Sequence, residues 1–149
     1  MMKPIKVLTA VAAAVLMALA TVVAPPAKAF WQLGNYDLLT NRYNRASWYW
    51  FVARCNPVPA TDCRYISAIP RLKFYNYYGG NAYLVNGQWT LKTEVSDGLQ
   101  CAPGYAMPTH ETYVWDDNSL TGTITSNYDA GCFNGPPGQQ FWTFKLQRL

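Results

Sequence analysis

Tyr83-Leu84-Val85-Asn86-Gly87-Gln88-Trp89-Thr90-Leu91-Lys92-Thr93-Glu94-Val95 is the stretch whose reading decides the fold. Asn-Gly tolerates positive φ at both turn positions, so between two strand-like runs it marks a tight β-hairpin. In the second arm Trp89, Leu91, Thr93 and Val95 share one face, and Gln88, Thr90, Lys92 and Glu94 share the other. That alternation describes a strand with one face in a core and one in water.

The same pattern recurs outward from this hairpin. Thr112-Tyr113-Val114-Trp115 and Leu120 to Thr125 form a second hairpin through the turn-forming set Asp116-Asp117-Asn118-Ser119. Gln140 to Leu149 alternates Trp142, Phe144 and Leu146 with polar residues. Upstream, Asn35 to Arg42, Ser47 to Arg54 and Arg64 to Ile69 are rich in Tyr, Trp, Phe, Val and Ile. Asn134-Gly135-Pro136-Pro137-Gly138 reads as a rigid loop, because proline cannot donate to a strand ladder. About seven to nine evenly spaced strands predict an all-β domain, either a small antiparallel up-and-down barrel or a two-sheet sandwich.

The first 29 residues read differently. A basic start, Met1-Met2-Lys3-Pro4-Ile5-Lys6, leads into an uncharged apolar run from Val7 to Ala24, then Pro25-Pro26 and Ala27-Lys28-Ala29. Small residues at the two peptidase-read positions make residues 1–29 a secretory signal peptide, leaving 30–149 as one domain. The competing reading keeps Val7 to Ala24 as an uncleaved membrane anchor, near the lower length limit for a span. Removal of the signal takes away Lys3, Lys6 and Lys28, leaving nine basic and eight acidic residues. The remaining cations are scattered, which argues against a nucleic-acid partner.

Cys55, Cys63, Cys101 and Cys132 all follow the signal and are even in number, so disulfides are expected in a secreted or cell-envelope protein. Of the three connectivities, Cys55–Cys63 with Cys101–Cys132 is preferred, the first closing a short loop between strands. In the chain-entropy model these links contribute about 2.6 and about 3.7 kcal/mol. No Cys-x-x-Cys pair is present and His110 is the only histidine, so no metal and no cofactor is expected.

Catalytic groups are sparse. His110-Glu111 reads as a polar strand start, Asp116-Asp117 reads as a turn pair, and no Gly-x-Ser-x-Gly elbow occurs. A hydrolase is the remote alternative, and no enzyme is expected. The chain instead carries 6 Trp, 11 Tyr and 6 Phe. Trp48-Tyr49-Trp50-Phe51 places rings on both faces of one strand, while Tyr75-Asn76-Tyr77-Tyr78-Gly79-Gly80-Asn81 reads as a tyrosine-rich loop suited to recognition. The candidate ligand-binding residues are Tyr75, Tyr77, Tyr78, Asn81, Trp48 and Trp50. A cavity lined by Trp48, Trp50, Trp89 and Trp142 would mark an open calyx, and a filled core would mark the alternative.

Gly34-Asn35-Tyr36, with Arg148 near the chain end, resembles the Gly-x-Trp opening and basic partner of lipocalin-type barrels, tyrosine replacing tryptophan. A second resemblance rests on Gly34-x-Tyr36, Asn86-Gly87-Gln88-Trp89-Thr90, Cys101-x-x-Gly104, Trp115-Asp116-x-x-Ser119-Leu120-Thr121-Gly122, Cys132 and Phe144-x-Leu146. In these the chain is similar to small exported proteins of mycobacteria and related actinobacteria. The shared motifs are turns and disulfides, and they imply no particular activity. The expectation is a secreted non-catalytic binding module for an apolar, glycan or protein ligand. The alternative is a structural or host-facing interaction protein of the cell envelope without a small-molecule site. A membrane is involved only if the signal segment stays uncleaved.

Overall fold

The computed structural model describes residues 31–42, 47–56, 61–70 and 77–149. The signal segment and Tyr75 lie outside the described residues. Within them the chain forms β1 (Gly34–Thr40), β2 (Ser47–Arg54), β3 (Cys63–Pro70), β4 (Tyr78–Val85), β5 (Gln88–Ala102), β6 (Tyr105–Asp116), β7 (Thr121–Tyr128) and β8 (Gly138–Arg148). Each strand pairs antiparallel with its chain neighbour, and β1 pairs with β8 to close the sheet on itself. The architecture is therefore a closed up-and-down barrel, not a sandwich. Closure leaves no free sheet edge.

The Asn86-Gly87 turn joins β4 to β5, with φ of 51° and 78° at its two residues. Both values lie in the left-handed region that a tight hairpin of this kind requires. Trp89, Leu91 and Val95 point inward as the alternation predicts, and Thr93 is half-buried beside them. Sequence reading ends this strand at Val95. In the structure β5 continues to Ala102, after a register shift between Val95 and Leu99 where the ladder with β6 slips. Such bulges bend a strand and re-aim its side chains.

Two ends follow from the meander. One carries the Asn86-Gly87 turn, the 117–120 turn, the Cys55–Cys63 link and both ends of the described chain; we term it the hairpin end. The other, the far end, carries Thr40, Ser47, Pro70, Tyr78 and the β5–β6 turn. The disulfides are Cys55–Cys63 and Cys101–Cys132, as expected from spacing. Gly34, Tyr36 and Arg148 come together at the hairpin end, with Tyr36 opposite Arg148 across the closing pair.

Indole and phenol rings fill the interior. Trp31, which precedes β1, enters the hairpin end and meets Trp115 at 5.1 Å and Trp89 at 5.3 Å between centroids. Trp50 continues the stack toward Tyr113 at 5.5 Å. Most of these contacts are edge-to-face or tilted, worth about 0.5–1.5 kcal/mol each beyond burial. Room for them comes from small residues. A Cβ on Gly122 of β7 would stand 2.1 Å from the Val114 carbonyl oxygen, so glycine alone fits there.

Candidate functional site

The sequence candidates divide between the inside and the outside of the barrel. Trp48, Trp50 and Tyr78 all project inward and are buried. Trp48 lies 5.1 Å from Tyr78 and 5.2 Å from Tyr77 between ring centroids. Trp50 Nε1 donates to the Tyr78 hydroxyl at 2.9 Å. Tyr77 is half-buried, and its hydroxyl accepts from Ser96 Oγ at 3.2 Å. The expected tyrosine-rich loop is thus corrected: Tyr78 to Asn81 open strand β4, and Tyr78 is 4% exposed. The reason is alternation, since Tyr78, Gly80 and Ala82 share the inward face. Asn81 consequently faces outward, with its Nδ2 3.4 Å from the Tyr83 hydroxyl, away from the other candidates.

Beneath Tyr78 lies a polar cluster inside the far end. Glu111 on β6 is buried and accepts four donors. Arg42 Nη2 lies 2.9 Å from Oε1, Thr109 Oγ1 donates to Oε1 at 3.0 Å and Ser126 Oγ at 3.3 Å. The Tyr113 hydroxyl donates to Oε2 at 2.5 Å. Arg42 also donates to the Gly98 carbonyl and stands 4.3 Å over the Trp142 ring. Gly98 is where the β5 bulge turns, and a Cβ there would stand 1.7 Å from Thr109 Oγ1. Sequence reading took Glu111 for a polar strand start and missed this cluster. Its parity was the available signal, because Glu111 alternates with Tyr113 and Trp115 on the inward face.

Burial pushes the hydroxyls of Tyr78 and Tyr113 above the ordinary tyrosine value of 10.0, and for Tyr113 the neighbouring Tyr78 and Glu111 add to it. Folding therefore favours the protonated phenols. Their contribution is fully present below about pH 10 and is lost as pH rises through the folded values. On the alkaline side, the expected result is a barrel that loses stability above about pH 10. Tyr113→Phe should flatten that slope in denaturant titrations, and an unchanged slope would contradict it.

Outside the barrel, Phe51, Tyr65 and Tyr83 stand 39%, 40% and 53% exposed on β2, β3 and β4. Tyr65 is directly opposite Asn81 and Ala53, so the three rings step diagonally across adjacent strands with the Asn81 amide among them. Diagonal neighbours of this kind lie about 7–8 Å apart. Alternation within Trp48-Tyr49-Trp50-Phe51 and within Arg64-Tyr65-Ile66 carried the information, but sequence reading did not single out Tyr65 or Tyr83.

The remaining polar candidates hold local structure. Asp116 Oδ1 accepts from the Ser119 and Asn118 amides, which lowers its pKa. Asp117 is instead buried, its Oδ1 accepting from Trp89 Nε1 at 2.6 Å and from the Trp31 amide at 3.0 Å. His110 is exposed between Glu94 and Asp129, at 3.4 and 3.3 Å. Among the described residues no group of three or more His, Cys, Asp or Glu is placed to hold a metal ion, and no helix is long and apolar enough to cross a membrane.

Fold and site together define a disulfide-stapled, eight-stranded antiparallel barrel with an aromatic-filled interior and an aromatic outer face. No protein-family model, curated protein or solved structure matches the chain.

Proposed function

We propose that the chain is an exported, non-catalytic binding module that engages a glycan on the outer face of β2–β4. The observation that carries this reading is the contrast between the two faces of those strands. Inward, Trp50, Tyr78 and their neighbours pack into a filled core, which is at odds with a calyx for an apolar ligand. Outward, three separate rings remain accessible beside an amide, and a sugar ring can stack on each while its hydroxyls meet Asn81. The two disulfides fit an oxidising compartment, in keeping with removal of residues 1–29 on export.

Co-sedimentation with a panel of insoluble polysaccharides tests the reading. The protein is expected to bind at least one polymer, and Tyr65→Ala with Tyr83→Ala to weaken that binding at least tenfold, about 1.4 kcal/mol. Binding unaffected by the double substitution would sink the assignment of the face. Absence of binding across the panel would sink the glycan.

A second reading has its own observation. Phe133, at φ 55° and 73% exposed, packs at a tilt against Tyr105, 5.3 Å between ring centroids, beside the Cys101–Cys132 link. A bulky ring held in left-handed backbone and turned to water favours a protein-contact role. Recovery of one stoichiometric protein partner, lost in Phe133→Ala, distinguishes it from glycan binding.

A further inference from the structure

Arg42 belongs to no strand. It follows β1 by two residues, yet its side chain turns back into the far end of the barrel and is buried there. Its guanidinium meets the Glu111 carboxylate at 2.9 Å, the Gly98 carbonyl, and the face of Trp142 at 4.3 Å. A carboxylate, a carbonyl and an indole face gathered at one point are the elements that recognise a compact organic cation.

The receptor is built independently of its occupant. Glu111 keeps three donors without Arg42: Thr109 and Tyr113 on its own strand and Ser126 on β7. The arginine is the less completely satisfied partner, because its buried Nε has no hydrogen-bond partner. Stability does not explain the charge either, since buried ion pairs gain little over apolar side chains of similar volume. Nearby Tyr78, Tyr113 and Phe144 show that rings already fill this interior.

We propose that Glu111, Gly98 and Trp142 form a binding site for a compact organic cation, an alkylguanidinium or a primary alkylammonium, which Arg42 occupies in the free protein as a tethered competitor. An external cation then binds only in the fraction of molecules from which Arg42 has withdrawn, and its apparent affinity is reduced by that fraction. The site is separate from the outer face of β2–β4 and does not depend on the glycan reading.

Calorimetric titration with methylguanidinium at low millimolar concentration, followed in parallel by tryptophan fluorescence, tests the proposal. Arg42→Ala is expected to bind it at least tenfold more tightly than the unmodified protein, which should itself show weaker saturable binding. Adding Glu111→Gln to Arg42→Ala should abolish binding. If Arg42→Ala folds only with methylguanidinium present, that rescue supports the site equally. The proposal is overturned if Arg42→Ala shows neither binding nor rescue, if the affinities are equal, or if the unmodified protein stays silent at a hundredfold the concentration that saturates the variant.

Discussion

Glu111→Ala is expected to lower the unfolding free energy by about 3–5 kcal/mol, a large share of the total for a domain of this size. The substitution removes the acceptor for Thr109, Tyr113 and Ser126 and leaves the Arg42 charge buried without its counterion. Each loss is of the expensive kind, since a buried donor without an acceptor forfeits its hydration as well as its bond. Urea unfolding at pH 7 should show a lower midpoint with little change in slope. Pairing Glu111→Leu with Arg42→Met should recover the part of the loss that comes from the stranded Arg42 charge, because both charges then leave together, while Thr109, Tyr113 and Ser126 still lack their acceptor. A single substitution costing under about 1 kcal/mol would contradict the central place given to this carboxylate.

The second large effect is at the opposite end. Trp31→Ala should cost about 3–5 kcal/mol, in the range for truncating a buried aromatic side chain. Trp31 is buried against Tyr36, Trp50, Trp89 and Trp115, and no strand of its own holds it there. Its amide donates to Asp117, and the Tyr36 hydroxyl donates to the adjoining Gln32 carbonyl, which fixes the backbone in place. Trp31→Phe is expected to cost much less, since the indole Nε1 has no hydrogen-bond partner to lose. Thermal unfolding with near-ultraviolet circular dichroism separates these cases. Equal effects for alanine and phenylalanine would mean that the ring does not act by filling volume.

Much of the barrel is legible in the chain because its signals are local. Asn86-Gly87 declares its hairpin, and Cys55 and Cys63 frame a short link between adjacent strands. Interior features that depend on distant partners are less legible. Gly79-Gly80 suggests a loop, yet a Cβ at Gly80 would stand 3.1 Å from Leu91 Cδ1, so the small residue leaves room for that side chain to pack. Trp31 precedes every strand-like run, and nothing near it in sequence shows that it enters the core. Glu111 has the right parity to point inward, but its partner Arg42 is 69 positions away. Of the site candidates, Trp48, Trp50 and Tyr78 do gather, though inside the barrel with half-buried Tyr77 against Trp48, while Asn81 joins a row of rings that only strand register reveals.

The pairing of β1 with β8 has a consequence for the order in which the barrel is made. Seven of the eight strand pairings join chain neighbours and form by short-range hairpin closure; the eighth brings Tyr36 opposite Arg148, 112 positions away. Such long-range contacts are the slow ones. A chain emerging N-terminus first holds β1 with one side unpaired until the final 11-residue strand arrives, and β7 waits on the same strand. Gly138–Arg148 is thus the piece that removes both exposed edges in one step. Every molecule truncated before it keeps two templates for strand addition by its neighbours.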